Sequence, residues 1–149
     1  MHDILAKAGL PSLASLATDN IDEALAFAAD MGSWPVVVKP LRSAATEGVR
    51  FCRSTEELKE AFTALLGTCT QFGDHNDLVL VQQCAKGREY AVNTVSREGR
   101  HILSDLWAYE KIPTPGGAPL YDRTGLVRTL DQENRAITAY TVQALDALA

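Results

Sequence analysis

The segment WPVVVKPLRSAATEGVRFC (residues 34–52) decides how this chain is interpreted. Its β-branched run VVV (36–38) is typical of a strand buried on both faces, and Lys39 and Pro40 follow at the end of that strand. A loop of mostly small residues comes next, and the chain then re-enters a strand at GVRFC (48–52). A purely structural hairpin needs neither a lysine at the strand end nor so many small side chains, so the segment requires a chemical explanation.

The chemistry of this segment favours an anion. The Lys39 ammonium would meet a phosphate where a buried strand emerges, and a charge acts more strongly in a partly dry site than in water. The small residues at 43–46 would let backbone amides approach phosphate oxygens. The segment therefore predicts a phosphate site, although the GxxxxGK[ST] pattern of a Walker loop is absent. The alternative is a strand-end lysine in solvent followed by a mobile linker.

The composition is that of an ordinary globular chain. Its 149 residues, 46% hydrophobic and 22% charged, suffice for one domain or two small lobes with a real core. A net charge of −5 argues against a nucleic-acid surface, and the absence of a long apolar run or a secretory signal predicts a cytoplasmic protein without a membrane partner. The three cysteines, widely spaced and without a CxxC pair, are predicted to be free thiols.

The flanking sequence predicts helices and strands in alternation. NIDEALAFAADMG is predicted as a helix that is capped by Asn20 and ends at Gly32. STEELKEAFTALLG is predicted as a second helix, which begins with a capping box of Ser54 and Glu57. LVLVQQC (78–84) is predicted as a further buried strand.

The later part of the chain predicts an antiparallel hairpin and a last helix. REYAVNTVS (88–96) and RHILSDLWAYEK (100–111) flank a turn in which Gly99 has the permissive backbone. IPTPGGAPLYDRTG (112–125) is rich in proline and glycine and is predicted as a loop. A helix is predicted from Asp131 onward, with an apolar face that little remaining sequence can cover.

A second candidate site lies in VLVQQCAKGREY (79–90). The connector after the buried strand can offer backbone N–H and C=O groups to the edge of an adenine. Glu89, on the following strand, can accept hydrogen bonds from ribose hydroxyls. The alternative is a glutamate that faces solvent on an edge strand.

The order of these segments resembles the ATP-grasp superfamily over residues 10–111. A strand ending in Lys-Pro, a small-residue loop, a second strand, a capped helix, a buried strand with QQCAKGRE and a hairpin follow one another. Within the superfamily the chain is similar to carboxylate–amine ligases, which make amide or peptide bonds. The resemblance implies an α+β, ATP-grasp-like fold: a small α/β first lobe (1–82), then the antiparallel-sheet beginning of a second, incomplete lobe (83–149).

The resemblance also implies an ATP site. Lys39 matches the strand-end lysine that contacts the nucleotide phosphates, and Ser43 and Thr46 fall in the loop that closes over them. Gln82 stands at a position, usually glutamate, that reads the adenine amino group, which a glutamine can do through its carbonyl oxygen. The other implied cofactor-binding residues are Cys84 and Ala85 at the adenine hinge, Glu89 at the ribose and Lys111 near the phosphates.

The sequence departs from the family pattern at the metal-binding residues. The resemblance places the carboxylates that hold Mg²⁺ on later strands of the second lobe, which we expect beyond residue 149. DQENRA (131–136) is more simply a helix start, with Asp131 as the N-cap and Glu133 as a first-turn acid. No catalytic or metal-binding residue is therefore assigned, and Mg²⁺ is expected only for the intact enzyme.

The leading hypothesis is the ATP-binding portion of a carboxylate–amine ligase, as a fragment that is inactive alone. In the intact enzyme, ATP would phosphorylate a small carboxylate, and an amine would attack the acyl phosphate to give an amide, ADP and phosphate. One alternative is a non-catalytic nucleotide-binding module that forms a homodimer through the exposed face of its last helix. Another is an α+β structural domain without a nucleotide site.

Overall fold

The structure, a computed structural model, describes residues 2–44, 46–112, 120–129 and 131–149. These residues form two compact units. We call residues 13–85 the first-sheet unit, and the described residues of 2–12, 86–112 and 120–149 the second-sheet unit. The assignment of 1–82 and 83–149 to two ATP-grasp lobes stays a prediction.

The described residues form helices and antiparallel sheets, which confirms the predicted α+β class. The sequence predicts antiparallel pairing only in the second lobe. In chain order the elements are α1 (His2–Lys7), β1 (Ser15–Thr18), α2 (Ile21–Met31), β2 (Val36–Pro40), β3 (Arg50–Cys52), α3 (Thr55–Leu65), β4 (Val79–Gln83), β5 (Glu89–Arg97), β6 (Arg100–Ile112), β7 (Leu120–Leu126) and α4 (Gln132–Leu148).

The first-sheet unit contains a four-stranded antiparallel sheet in the order β1-β4-β2-β3. The central strand β2 pairs with β3 on one side and β4 on the other, so that Val36 lies between Cys52 and Gln83. All three valines of β2 are buried, which confirms the prediction of a strand covered on both faces. The side chains of α2 and α3 complete this core, in which Leu58 and Phe62 are the largest.

The two helices of this unit begin where local chemistry predicts. Asn20 Oδ1 accepts a hydrogen bond from the Asp22 amide at 2.8 Å, and α2 stops at Gly32, whose φ of 60° suits a residue without a side chain. Ser54 Oγ accepts one from the Glu57 amide at 3.2 Å. The Glu57 carboxylate accepts in return from the amide of Arg53, one residue before the cap, at 2.8 Å.

The second-sheet unit contains a three-stranded antiparallel sheet in the order β5-β6-β7. The predicted hairpin of β5 and β6 is confirmed, with Glu98 and Gly99 both at positive φ in a two-residue turn. The prediction of a loop over 112–125 was wrong at Ile112, which belongs to β6, and at 120–125, which lie in β7. The end of β6, including Ile112, pairs with β7. This pairing overrides the preference of the local proline and glycine residues for a loop. Residues 113–119 of the predicted loop lie outside the described residues.

Helix α4 begins at the predicted cap, since Asp131 Oδ1 accepts a hydrogen bond from the Asn134 amide at 2.8 Å. Its apolar face is less open than the sequence suggests. Helix α1, which the sequence interpretation did not include, and strand β6 both pack against α4. The Tyr140 hydroxyl also donates to the carbonyl of Pro11 at 2.6 Å. The predicted apolar face of this helix is therefore half-buried along most of its length and exposed at Leu148.

The three cysteines are free, as the sequence predicts. Cys52 is buried in the first-sheet unit, and burial together with the nearby Glu57 charge raises the pKa of its thiol to about 11. Cys69 is exposed and Cys84 is partly exposed. None of the helices in the described part of the chain has the length and apolar character needed to span a membrane.

Candidate functional site

Lys39 lies near the end of the central strand β2, where the sequence predicts a phosphate site. Its side chain is partly buried, and this burial lowers the pKa of Lys39 because removal from water disfavours the charged ammonium. The residue lines a cavity of about 340 Å³, together with Pro40, Leu41, Ser43, Ala44, Thr46, Glu47 and Val49. An incompletely solvated cation in a cavity of this kind is suited to an anion.

Two backbone hydrogen bonds connect described residues of the loop after β2. The Glu47 amide donates to the Ala44 carbonyl at 3.1 Å, and the Val49 amide donates to the Thr46 carbonyl at the same distance. Thr46 has a φ of 63°, and Gly48 has a φ of 69°. A Cβ at Gly48 would lie 2.9 Å from Pro40 ring atoms and from Leu65, so the close approach also requires glycine.

A carboxylate that the sequence interpretation did not single out ties this loop down. Glu47 Oε1 accepts a hydrogen bond from the Gln71 amide at 2.8 Å, and Glu47 Oε2 accepts one from the Ser43 hydroxyl. The Gln71 side chain donates in turn to the Ala44 carbonyl at 3.1 Å. Glu47 and Gln71 are 24 residues apart, and no local pattern marks either as a partner of the other.

The three residues predicted at the adenine lie at the end of β4 or just beyond it. Gln82 is buried in β4, where it pairs with Val37 on one side and Ser15 on the other. Cys84 is partly exposed and Ala85 is exposed. Among the described residues, the backbone amides of Cys84 and Ala85 form no hydrogen bond with another backbone group.

Glu89 and Lys111, predicted at the ribose and the phosphates, contact each other in the second-sheet unit. Glu89 Oε2 accepts a hydrogen bond from Lys111 Nζ, and Glu89 Oε1 accepts one from the Tyr121 hydroxyl at 2.8 Å. Lys111 Nζ also lies 4.9 Å from the centre of the Tyr121 ring. We call Glu89, Lys111 and Tyr121 the carboxylate cluster.

The cluster shifts the titration of all three of its groups. Burial raises the pKa of Glu89, but the hydrogen bonds from Lys111 and Tyr121 outweigh it and hold that pKa below its ordinary value. Burial likewise lowers the pKa of Lys111, and the hydrogen bond and charge of Glu89 raise it further than burial lowers it. The hydrogen bond to Glu89 raises the pKa of Tyr121. A carboxylate offers about four acceptor positions, so Glu89 can still accept from a sugar hydroxyl.

Strand pairing explains why these three side chains meet. Glu89 pairs with Tyr109 across β5 and β6, and Lys111 pairs with Tyr121 across β6 and β7. The rings of Tyr109 and Tyr121 also contact each other edge to face, with centroids 5.2 Å apart. The sequence interpretation missed Tyr121 as a partner of Glu89, because it placed that residue in a loop. A correct prediction of β7 as a strand would have placed Tyr121 beside Lys111 and close to Glu89.

Within residues 2–44, 46–112, 120–129 and 131–149, no three His, Cys, Asp or Glu side chains are placed to hold a metal ion. The two acids of DQENRA have other partners: Asp131 caps α4, and Glu133 Oε1 accepts a hydrogen bond from the Tyr90 hydroxyl at 3.3 Å. Both carboxylates therefore make hydrogen bonds within the chain.

The sequence matches a known family over most of its length. The family described as phosphoribosylglycinamide synthetase, ATP-grasp (A) domain, matches residues 1–109. The chain is also 34% identical over 148 residues to dapdiamide A synthase of Enterobacter agglomerans. This match covers 99% of the chain and 35% of that synthase, so the chain spans about a third of its relative's length.

Solved structures show the same fold. The match to an L-amino acid ligase from Bacillus licheniformis covers 99% of this chain and 32% of the ligase chain, with a TM-score of 0.66 and 23% identity. The match to the VanG D-Ala:D-Ser ligase from Enterococcus faecalis covers 99% of this chain and 43% of the ligase chain, with a TM-score of 0.73 and 18% identity. The α+β fold is thus that of part of an ATP-grasp protein. The family match over residues 1–109 shows that the chain belongs to the ATP-grasp family.

Proposed function

We propose that this chain is the ATP-binding portion of an ATP-dependent carboxylate–amine ligase. The observation that carries the proposal is Lys39, a partly buried cation whose pKa burial lowers, in a cavity lined by the small residues of its loop. A polyphosphate entering this cavity would restore the favourable surroundings that the ammonium loses on leaving water. Membership of the ATP-grasp family supports ATP as the source of that polyphosphate.

The proposed roles of the other residues follow from the groups they present. Thr46 and the loop amides would contact the phosphates, and the amides of Cys84 and Ala85 would contact the adenine edge. Gln82 would accept a hydrogen bond from the adenine amino group, and Glu89 would accept from the ribose hydroxyls. Lys111 would also contact the phosphates, and Ser43 would contribute to this site as part of the loop that surrounds them.

The proposed reaction belongs to the longer protein, because the chain spans about a third of the relative it matches over nearly its full length. A carboxylate oxygen of the substrate would attack the terminal phosphorus of ATP, and ADP would leave. The nitrogen of an amine would then attack the acyl carbon and release phosphate. The chain's share of this chemistry is to position the nucleotide and stabilise phosphate charge. Inactivity of the chain alone, and a homodimer through α4, stay predictions.

Calorimetric titration with ATP and adenosine tests the proposal. Lys39→Ala removes a charge-assisted contact, so we expect ATP to bind about 10-fold to 100-fold more weakly, with adenosine unaffected. Lys59→Ala is the matched control, because it removes an exposed lysine from α3 of the same unit. Glu89→Ala should weaken the binding of both ATP and adenosine, because the ribose is common to the two ligands.

Either of two results would overturn the proposal. One is the absence of ATP binding by a wild-type chain that circular dichroism shows to be folded. The other is an equal effect of Lys39→Ala and Lys59→Ala on the affinity for ATP, since this would make the Lys39 cavity irrelevant to phosphate.

A further inference from the structure

Glu47 stands in an unexpected place for an acidic residue. Its carboxylate belongs to the loop that lines the Lys39 cavity, where an approaching phosphate would meet a like charge. Direct attraction between Glu47 and phosphate therefore cannot explain its position. The contacts of its two carboxylate oxygens provide another explanation.

Both oxygens hold parts of the chain together. Oε1 accepts from the amide of Gln71, and Oε2 accepts from the hydroxyl of Ser43. The side-chain amide of Gln71 returns to the loop and donates to the Ala44 carbonyl. Three hydrogen bonds thus close a ring between the loop that joins β2 to β3, which we call the phosphate loop, and the segment that contains Gln71.

The segment around Gln71 is itself well anchored. The Thr70 amide donates to the Asp74 carbonyl at 2.9 Å, and Cys69 forms a β-bridge with His75. Outside that bridge, the Gly67 amide donates to the Asn76 carbonyl at 2.9 Å. A loop that is tied to Gln71 is therefore tied to a segment fixed by its own backbone hydrogen bonds.

The ring also changes the interpretation of Ser43. A serine hydroxyl has one proton, and that of Ser43 is donated to Glu47. In this arrangement Ser43 has no proton left to donate to a phosphate oxygen. Ser43 and Glu47 are accordingly expected to act as one unit.

We propose that Glu47 is a positioning residue that, through Ser43 and Gln71, holds the phosphate loop in the conformation that binds the ATP polyphosphate. Ser43 acts through Glu47 and is not itself a phosphate ligand. The inference rests on the proposed function and extends it from the groups that touch the nucleotide to the groups that arrange them.

Two kinds of measurement on the full chain test this inference. The first is amide hydrogen exchange at Gln71, followed by NMR in the wild type, Glu47→Ala and Glu47→Gln. We expect the Gln71 amide to exchange faster in Glu47→Ala. Glu47→Gln should restore its protection, because a glutamine can accept from the Gln71 amide and donate to the Ser43 oxygen.

The second measurement is a double-mutant cycle read as the affinity for ATP and for adenosine. We expect Glu47→Ala to weaken ATP binding about threefold to tenfold, with adenosine unchanged and Glu47→Gln within about twofold of the wild type. Ser43→Ala combined with Glu47→Ala should be no weaker than Glu47→Ala alone. Glu60→Ala is the charge control, since it removes an exposed acid from α3 and should change neither affinity.

The outcomes separate this inference from the proposed function. Additive losses in the double mutant, or unchanged or tighter ATP binding by Glu47→Ala while the wild type binds ATP, overturn the positioning role alone. Equal exchange of Gln71 in the wild type and Glu47→Ala overturns it as well. If the folded wild type binds no ATP, the proposed function and this inference both fail.

Discussion

The two units of the chain are held by different forces. Among the described residues, the largest fully buried side chains belong to the first-sheet unit, with Leu106 of β6 as the exception. In the second-sheet unit, Val95 and Ile102 face each other across the hairpin and are both 64% exposed. Every residue of β7 is exposed. Apolar burial stabilises the first unit, and backbone pairing with polar side-chain contacts contributes more to the second.

This difference extends to the candidate binding residues. Lys39 projects from a strand whose valines are packed into a core, so its position is fixed by the fold around it. Glu89 is held by Lys111 and Tyr121 on a more exposed sheet, so its position depends on charge and protonation. We expect core substitutions to dominate the stability of the first unit and pH to affect the second.

The largest expected loss of stability comes from a buried phenylalanine of the first-sheet unit, compared with an exposed one. Phe62 is 2% exposed and Phe72 is 65% exposed. Phe62→Ala should lower the free energy of unfolding by about 3–5 kcal/mol, because it removes buried apolar surface and leaves a cavity. Phe72→Ala should change it by less than about 0.5 kcal/mol. Urea unfolding measures both, and equal effects would contradict the contrast between core and surface.

Two glycines sharpen the comparison within the first-sheet unit. Gly48 and Gly67 both have positive φ, at 69° and 75°, but only an added Cβ at Gly48 meets neighbouring atoms within 4 Å. Gly67→Ala should destabilise the chain by about 1 kcal/mol through backbone strain alone. Gly48→Ala should cost about 1–3 kcal/mol more, since the Pro40 ring cannot easily move away. Similar unfolding free energies for the two variants would show that the loop yields to the added carbon.

The smallest effect is expected from the carboxylate cluster. Because the pKa of Glu89 is lower in the folded chain, its contribution to stability is present above the ordinary pKa and is lost as pH falls through the folded value. The side chain of Glu89 is 41% exposed, so Glu89→Gln should cost less than about 1 kcal/mol at neutral pH. Thermal unfolding at pH 7 and pH 3 should show the gap between wild type and variant closing in acid. A gap that stays constant would contradict the role of the charge.

The features that the sequence predicted correctly depend on neighbours along the chain. Asn20, Ser54 and Asp131 bond to amides two or three residues away, so the helix starts can be recognised from short patterns. The buried strand β2 is equally evident, because three consecutive valines suit a strand covered on both faces.

The features that were missed depend on distant partners. Strand β7 forms because β6 pairs with it, and its own exposed residues carry no clear alternation. The bond between Glu47 and Gln71 spans 24 positions, and the bond between Glu89 and Tyr121 spans 32. Glu89 was predicted from its own segment and from the family resemblance, and Lys111 from the resemblance alone, but their direct contact follows from strand register.

The buried thiol of Cys52 has a practical consequence. A thiol reacts with alkylating reagents as the thiolate, and a pKa of about 11 leaves almost none of it at neutral pH. Cys69 is exposed and Cys84 is partly exposed in the folded chain, whereas Cys52 is buried and becomes accessible only when its surroundings open. The rate at which Cys52 is alkylated, followed by mass spectrometry, therefore reports how often the core of the first-sheet unit opens. The measurement needs no added dye or tag.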